Sequence, residues 1–293
     1  MDEQTRRQAP GAFADLRHGT THYVLDGPED GPLVVLVPGA TLSLWIWDGL
    51  FQRLVESGHR VLGYDLYGRG YSDRPRVRYT HDLFDDQLVD LLEALDLRQP
   101  VNLVALAFGG PIASQFALRH PGAVSSLTLV APDGFGVALT RGQRLMATPV
   151  IGTYIFSVVG SRVLERRLAD YSQDKGLVER LRVKYVPDLA FKGFKRALTS
   201  SIRNIPIHDS RDVYRQVQDL GLPVQVLWGR EDRVTPLYEA DVRSVFHRAD
   251  VTLLDNVGHL PHHERLDLTT DLVMSAVRRG REVPVTGPTE RPR

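Results

Sequence analysis

The sequence predicts an α/β fold: a parallel sheet with helices on both faces and a separate block of helices over one sheet edge. Three observations predict it. Short, mostly apolar runs at 33–37, 101–106 and 224–228 have the composition of strands buried on both faces. Between 33 and 135 such runs alternate with segments whose apolar residues recur at helical spacing. Residues 136–217 then break that rhythm, with helical patterning and no competing strand alternation. A chain of 293 residues, 42% of them hydrophobic, is long enough for one large core. One domain with an insertion therefore fits better than two independent domains.

In chain order, residues 1–18 read as a flexible N-terminal arm and 20–25 as a first strand. Turn chemistry at 26–32, rich in Gly, Pro and Asp, leads into the buried strand 33–37. Leu50, Phe51, Leu54 and Val55 recur at helical spacing, and Gly58 suits a helix C-terminus. A strand follows at 60–65. Phe84, Leu88, Leu91, Leu92 and Leu95 line one face of a helix over about 80–97. Strand and helix then run to about His120, where Pro121-Gly122 ends them, and 124–130 alternates as a strand. Helical segments are expected at 143–159, 162–171, 177–183 and 185–202, with charged residues such as Arg166, Arg167 and Asp170 on solvated faces. A strand at 251–254 and a helix over about 265–278 close the core. The organisation expected is thus a core of 19–135 and 218–279, a helical cap of 136–217, and a disordered tail of 280–293 rich in Pro, Gly and charge.

Composition excludes several function classes. Thirty-six basic and 36 acidic residues give a formal net charge of zero, so nothing draws the chain to nucleic acid or to an acidic membrane surface. Cysteine is absent, which removes disulfides and thiolate metal sites. The N-terminus lacks the apolar stretch of a signal peptide, and no run approaches membrane-spanning length, so a cytoplasmic location is expected. The adjacent His262 and His263 lack the spacing of a metal-ligand motif. No metal and no cofactor are expected. The Gly-rich loop Asp65-Leu66-Tyr67-Gly68-Arg69-Gly70-Tyr71-Ser72-Asp73 is no phosphate cradle, because no phosphate-binding motif opens a helix there; it reads as a structural wall. Oligomeric state is not readable.

The chemistry centres on Ala105-Leu106-Ala107-Phe108-Gly109-Gly110-Pro111. A strand there turns sharply into a helix, and the residues two positions either side of 107 are small, as a strained turn demands. Pro111 suits the first helical turn. This stretch resembles the nucleophile elbow of the α/β-hydrolases, with Ala107 where the nucleophilic serine belongs. Two further loops strengthen the resemblance: Gly229-Arg230-Glu231-Asp232-Arg233-Val234-Thr235-Pro236 and Gly258-His259-Leu260-Pro261-His262. Each follows an apolar strand, and the order elbow, acid, histidine is that of the family. Together the matches span about 33–275 outside the cap.

The resemblance implies a mostly parallel eight-stranded sheet with a helical cap. It implies a site of Ala107 at the nucleophile position, Asp232 as the acid and His259 as the base. Asp133, past the preceding strand, is a less favoured acid position, and Glu231 fits a surface neighbour. Backbone N–H groups of Ala40 and Phe108 are the expected oxyanion donors, with Pro38 standing where the family usually has His. Trp45, Met146, Tyr154 and Leu260 are expected against the substrate. That substrate would be a small to medium apolar ester or related acyl compound. Three accounts of Ala107 follow. The first is a serine hydrolase inactivated by Ser→Ala that still binds substrate. The second is a native enzyme in which His259 and Asp232 act as general base beside an oxyanion hole: a lyase, isomerase, cyclase or cofactor-free oxygenase. The third is a non-catalytic ligand-binding relative.

Overall fold

The computed structural model describes residues 3–136 and 151–282; for residues 3–4, 151–155 and 157 the backbone alone is described. Eight strands form one sheet: β1 (Ala12–Leu16), β2 (Gly19–Asp26), β3 (Leu33–Val37), β4 (Arg60–Tyr64), β5 (Val101–Leu106), β6 (Val124–Val130), β7 (Val224–Gly229) and β8 (Asp250–Leu254). Their spatial order is β1-β2-β4-β3-β5-β6-β7-β8. The β1–β2 and β2–β4 pairs are antiparallel and all others parallel.

The apolar runs explain this arrangement. In β3, Leu33, Val35 and Val37 join one core cluster while Val34 and Leu36 join the other, so every residue of the strand is buried. The same holds for β5, where Leu103 and Ala105 face one side and Val104 and Leu106 the other. Helices cover both faces, which lets a strand be apolar throughout. One cluster takes α3 (His81–Ala94) and α4 (Gly109–Arg119) through Phe84, Leu88, Ile112 and Phe116. The other takes α2 (Asp48–Glu56) and α11 (Leu266–Glu282) through Leu50, Leu54, Val273 and Val277.

The cap is built from α5 (Ile151–Arg167), α6 (Lys175–Leu189) and α7 (Phe194–Asn204). Asp174 caps α6 by accepting from the Gly176 N–H at 2.8 Å. Leu168, Leu177, Leu181, Phe194 and Leu198 share a cluster with Leu42, Ile46 and Trp47, so the cap is packed on the loop that follows β3. Beyond the cap come α8 (Arg211–Gln218), α9 (Glu239–Val245) and a four-residue α10 (Pro261–Glu264), and short 3-10 helices stand at Leu44–Trp47 and Leu168–Asp170. None of the described helices is long and apolar enough to cross a membrane.

Several expected boundaries change. The arm expected over 1–18 contains a helix, α1 (Glu3–Gln8), and the edge strand β1, paired with β2 from Ala12↔Tyr23 to Leu16↔Gly19. Arg6 ties the arm to Asp73 by an ion pair at 2.8 Å. The cap, expected to run to 217, ends earlier, because Tyr214 and Val217 of α8 lie in the sheet's own core cluster. The break expected near 184 is absent: α6 runs through it to Leu189, ending two residues past Pro187, whose ring removes a backbone donor, and the chain turns at Gly193, whose φ is +93°. Gly280, Arg281 and Glu282, expected in the tail, belong to α11, and residues 283–293 lie outside the described residues.

Candidate active site

The turn at 107 has the geometry its neighbours imply. Ala107 lies at φ +46°, a left-handed conformation rare for a residue with a Cβ. Three backbone bonds hold it there: Ala107 N–H to Val130 O (2.9 Å), Gly110 N–H to Ala107 O (2.8 Å) and Asp133 N–H to Ala107 O (3.1 Å). Gly109 is required by a close approach, since a Cβ there would stand 2.7 Å from Val37 O and 2.8 Å from Pro38 O. The strand–turn–helix thus projects the Ala107 methyl, 7% exposed, into a cavity above the carboxyl ends of the strands.

Asp232 leaves the end of β7 and His259 the loop after β8. His259 Nδ1 donates to Asp232 Oδ2 at 2.8 Å, which leaves Nε2 as a free acceptor. Both side chains are almost wholly buried. Asp232 is fixed from behind: Oδ1 accepts from the N–H groups of Val234 (2.8 Å) and Thr235 (2.9 Å), and Oδ2 from Thr235 Oγ1 (2.7 Å). The His259 N–H donates to Tyr171 O of the cap at 2.9 Å, and the Tyr171 ring meets the imidazole edge-on at 5.1 Å. Tyr171 also shares a hydrogen bond with Thr41 Oγ1 at 2.8 Å. One cap residue therefore touches both the base and the loop after β3.

The cavity has a volume of about 280 Å³ and brings Ala40, Ala107 and His259 together. Its walls are mainly apolar, with Leu42, Leu106, Phe135 and Trp228 from the core and Phe156 and Ile202 from the cap. Among the described residues, the N–H groups of Ala40 and Phe108 donate to no protein acceptor. The loop bearing Ala40 is braced by the wholly buried Arg69, whose Nε donates to Ala40 O (2.9 Å) while its guanidinium lies over the Phe108 ring at 5.5 Å. This gives the glycine-rich loop a definite task. Asp65 at its start accepts from the N–H groups of Leu44 and Tyr71 and from His22, and Gly70, at φ +45°, leaves room for that carboxylate.

Not every expected contact is present. Trp45 does not line the cavity: its Nε1 donates to Asp188 Oδ2 (3.0 Å) and its ring meets the Lys184 ammonium at the surface. Leu260 is buried in the cluster beneath the cap, away from the cavity. Met146 and the Tyr154 side chain lie outside the described residues. Glu231 clamps the histidine loop by accepting from the Val257 N–H at 3.0 Å. Arg167, expected on a solvated face, lines the cavity, and so does Asp133. Asp188, on α6, accepts from Ser43 Oγ and Trp45 Nε1, and burial pushes its carboxyl up to about 6. Thr235, absent from the expected site, does carry a sequence signal, the Asp-x-x-Thr turn of Asp232-Arg233-Val234-Thr235. The described residues contain no cluster of three ligand-type side chains suited to a metal ion.

Comparison with known proteins adds a family and several relatives. The sequence profile described as alpha/beta hydrolase fold matches residues 32–266. A non-heme chloroperoxidase of Streptomyces lividans is 28% identical over 83% of this chain and 90% of its own. A 2-hydroxymuconate semialdehyde hydrolase of Pseudomonas sp. (strain CF600) is 29% identical over 75% of this chain and 77% of its own. Among solved structures, a meta-cleavage product hydrolase of Pseudomonas fluorescens IP01, a serine-to-alanine mutant complexed with acetates, superposes with a TM-score of 0.74. That match covers 92% of this chain and 97% of the other at 23% identity, a likeness of fold.

Proposed function

This chain belongs to the α/β-hydrolase fold family, and from that premise we propose that its cavity is the site of a carboxylic-ester or related acyl hydrolase whose nucleophile position is held by Ala107. One observation carries the reading. The His259–Asp232 pair is complete, and its free Nε2 belongs to the same cavity as a residue in the strained elbow conformation. In such a site a hydroxyl at 107 attacks the carbonyl carbon and Nε2 takes its proton. Two backbone N–H groups, those of Ala40 and Phe108, receive the oxyanion. A methyl group cannot attack. Loss of a triad nucleophile costs on the order of 10⁶ in kcat in a comparable protease. The chain as it stands is therefore a binder of acyl ligands with its covalent step removed. A relative named as a hydrolase supports that class over a purely structural role.

The test is Ala107→Ser, assayed with p-nitrophenyl acetate and butyrate and with a fluorophosphonate label. The variant should release a burst of nitrophenolate and take up label. Adding His259→Ala should abolish both. A folded Ala107→Ser protein that takes no label and releases no nitrophenol overturns the reading.

A second reading has an observation of its own. Asp133 is a carboxylate in the cavity that acyl hydrolysis does not use. It favours chemistry in which His259 acts directly on substrate, with no covalent step.

A further inference from the structure

We propose that Asp133 is a catalytic proton-transfer residue of this cavity, working with His259 on a carbon acid held over the Ala107 methyl. The proposal rests on the second reading above and does not need a nucleophile at 107.

Position is the first argument. Asp133 follows β6 directly, and its N–H donates to Ala107 O at 3.1 Å, so its backbone is tied to the elbow. Its carbonyl accepts from Tyr214 Oη at 2.5 Å, which fixes the residue from below. Its side chain lines the same cavity as His259. The second argument is the lack of a partner. The fully buried carboxylates near the site are all engaged: Asp65 by two N–H groups and His22, Asp188 by Ser43 and Trp45, Asp232 by His259 and Thr235. The Asp133 carboxyl has no hydrogen bond or ion pair among the described residues. A carboxylate set in an apolar cavity with no partner costs free energy, and it is a functional candidate for that reason. The acid role toward the imidazole is already taken by Asp232, so Asp133 is not needed to orient His259.

The third argument is its surroundings. His259 and Asp232 face it from the core loops, Arg167 and Tyr171 from the cap, and Tyr214 from α8. Burial pushes the carboxyl up to about 6, with Asp232 adding to the rise and His259 and Arg167 opposing it. Both protonation states are then accessible near neutrality, which a proton-transfer group requires. The chemistry balances without a co-reactant. His259 Nε2 takes a proton from a carbon next to a carbonyl, and the C–H electron pair moves into an enolate whose oxygen the Ala40 and Phe108 N–H groups hold. Protonated Asp133 returns a proton to a different carbon of the conjugated system. The substrate is isomerised, and exchange with water resets both groups. The substrate class is thus an unsaturated ketone or ester whose double bond can shift. With a substrate that needs only a base, ionised Asp133 removes the proton itself.

The probe is 5-nitrobenzisoxazole, whose C–H proton goes to a base as the N–O bond breaks to a coloured phenolate. The unmodified protein should eliminate it. In the His259→Gln background, where Asp133 is the remaining base, Asp133→Asn should lower the rate at least tenfold above pH 6. His259→Gln leaves Asp133 as the acting base, so its rate should rise with pH through a single step between pH 5 and 7. Adding Asp133→Asn to it should remove that step. No elimination by the unmodified protein overturns the proposal, and so does a His259→Gln/Asp133→Asn protein with the rate and pH profile of His259→Gln. If Asp133→Asn does not fold, the His259→Gln profile decides alone. Phosphonate labelling of Ala107→Ser/Asp133→Asn separates the two readings. Label without an Asp133 effect on elimination defeats this proposal and leaves the hydrolase reading standing. An Asp133 effect on elimination without label does the reverse.

Discussion

Replacing Asp188 by Asn tests the electrostatics that join cap to core. Asp188 is 6% exposed on α6, and its Oδ2 accepts from Trp45 Nε1 at 3.0 Å and from Ser43 Oγ. Burial pushes the carboxyl from 3.8 to about 6. The Ser43 and Trp45 hydrogen bonds oppose that rise, Asp65 adds to it, and Arg74 works against it. The folded value exceeds the unfolded one, so between those pH values the native state binds more protons than the unfolded chain. Stability from this group is therefore greatest below about pH 4 and is lost as pH rises through 6. About two pH units correspond to roughly 3 kcal/mol, of which about 2 is sampled between pH 4.5 and 8. Asn keeps an acceptor and does not titrate. Paired urea unfolding curves at the two pH values should show the difference between variant and parent moving about 2 kcal/mol in the variant's favour at pH 8. Other titrating groups, Asp133 included, cancel in that difference. A difference independent of pH, or one moving toward the parent, would show that the two donors hold the carboxylate ionised, and the reasoning fails.

Two further substitutions test other parts of the design. Gly229→Ala would place a Cβ 2.1 Å from the carbonyl oxygens of Val257 and Gly258, backbone atoms of the histidine loop that cannot swing aside. It should cost about 3 kcal/mol or more by thermal melting, and an unchanged Tm would refute the packing argument. His262→Phe should be neutral or stabilising by up to about 1 kcal/mol at pH 8. The imidazole is buried 4.5 Å from the Trp47 ring with neither nitrogen partnered among the described residues. Burial holds its proton affinity well below the ordinary value. The unfolded chain thus takes up a proton that the native state refuses, and the parent loses stability as pH falls below 6.5 while the Phe variant does not lose this part. A loss above 2 kcal/mol at pH 8 would point to a buried water bonded to His262.

The parts of this molecule legible in its sequence are those whose cause is local. β3, β5 and β7 could be read because a strand covered on both faces must be mostly apolar along its length, as Leu33–Val37 is throughout, and β6 could be read from its alternation. The elbow could be read because a left-handed residue between strand and helix forces smallness at 105 and 109 whatever occupies 107. Asp232 could be read because it follows such a strand, β7, and His259 because of its Gly-His-Leu-Pro loop, which comes after β8, an edge strand only partly buried. The illegible parts have non-local causes. β1 buries Ala14 alone, and five residues at a sheet edge give no periodicity to detect. Arg167 and Asp188 sit on helices whose polar residues all suggest solvent until the partner surface is known. Trp45 and Leu260 adjoin the loop after β3 and the histidine loop in sequence, yet adjacent residues on a turn face different ways. Trp45 goes to Asp188 and Leu260 into the cluster under the cap.

That separation of local from non-local causes bears on what Ala107 does. A left-handed conformation at a residue with a Cβ costs about 1 kcal/mol or more relative to glycine. It persists here because the Val130 carbonyl and the Gly110 and Asp133 N–H groups bind the backbone of residue 107, and none of them touches its side chain. The elbow is therefore independent of the nucleophile it carries in a hydrolase. With a methyl group at 107, the structure still holds the Phe108 N–H, the Ala40 loop braced by Arg69, and the His259–Asp232 pair around it. In proteases stripped of their triad, such a remainder still accelerates reaction by about 10³–10⁴. A site with that much intact electrostatic machinery and no group to form an acyl intermediate is suited to stabilising charge on a bound substrate. Whether the bound molecule reacts then depends on which proton donors and acceptors reach it, and of the titratable groups that line this cavity, Arg167, Tyr171, Tyr185 and His208 among them, the imidazole of His259 and the carboxyl of Asp133 are the two that the proposal above puts to work.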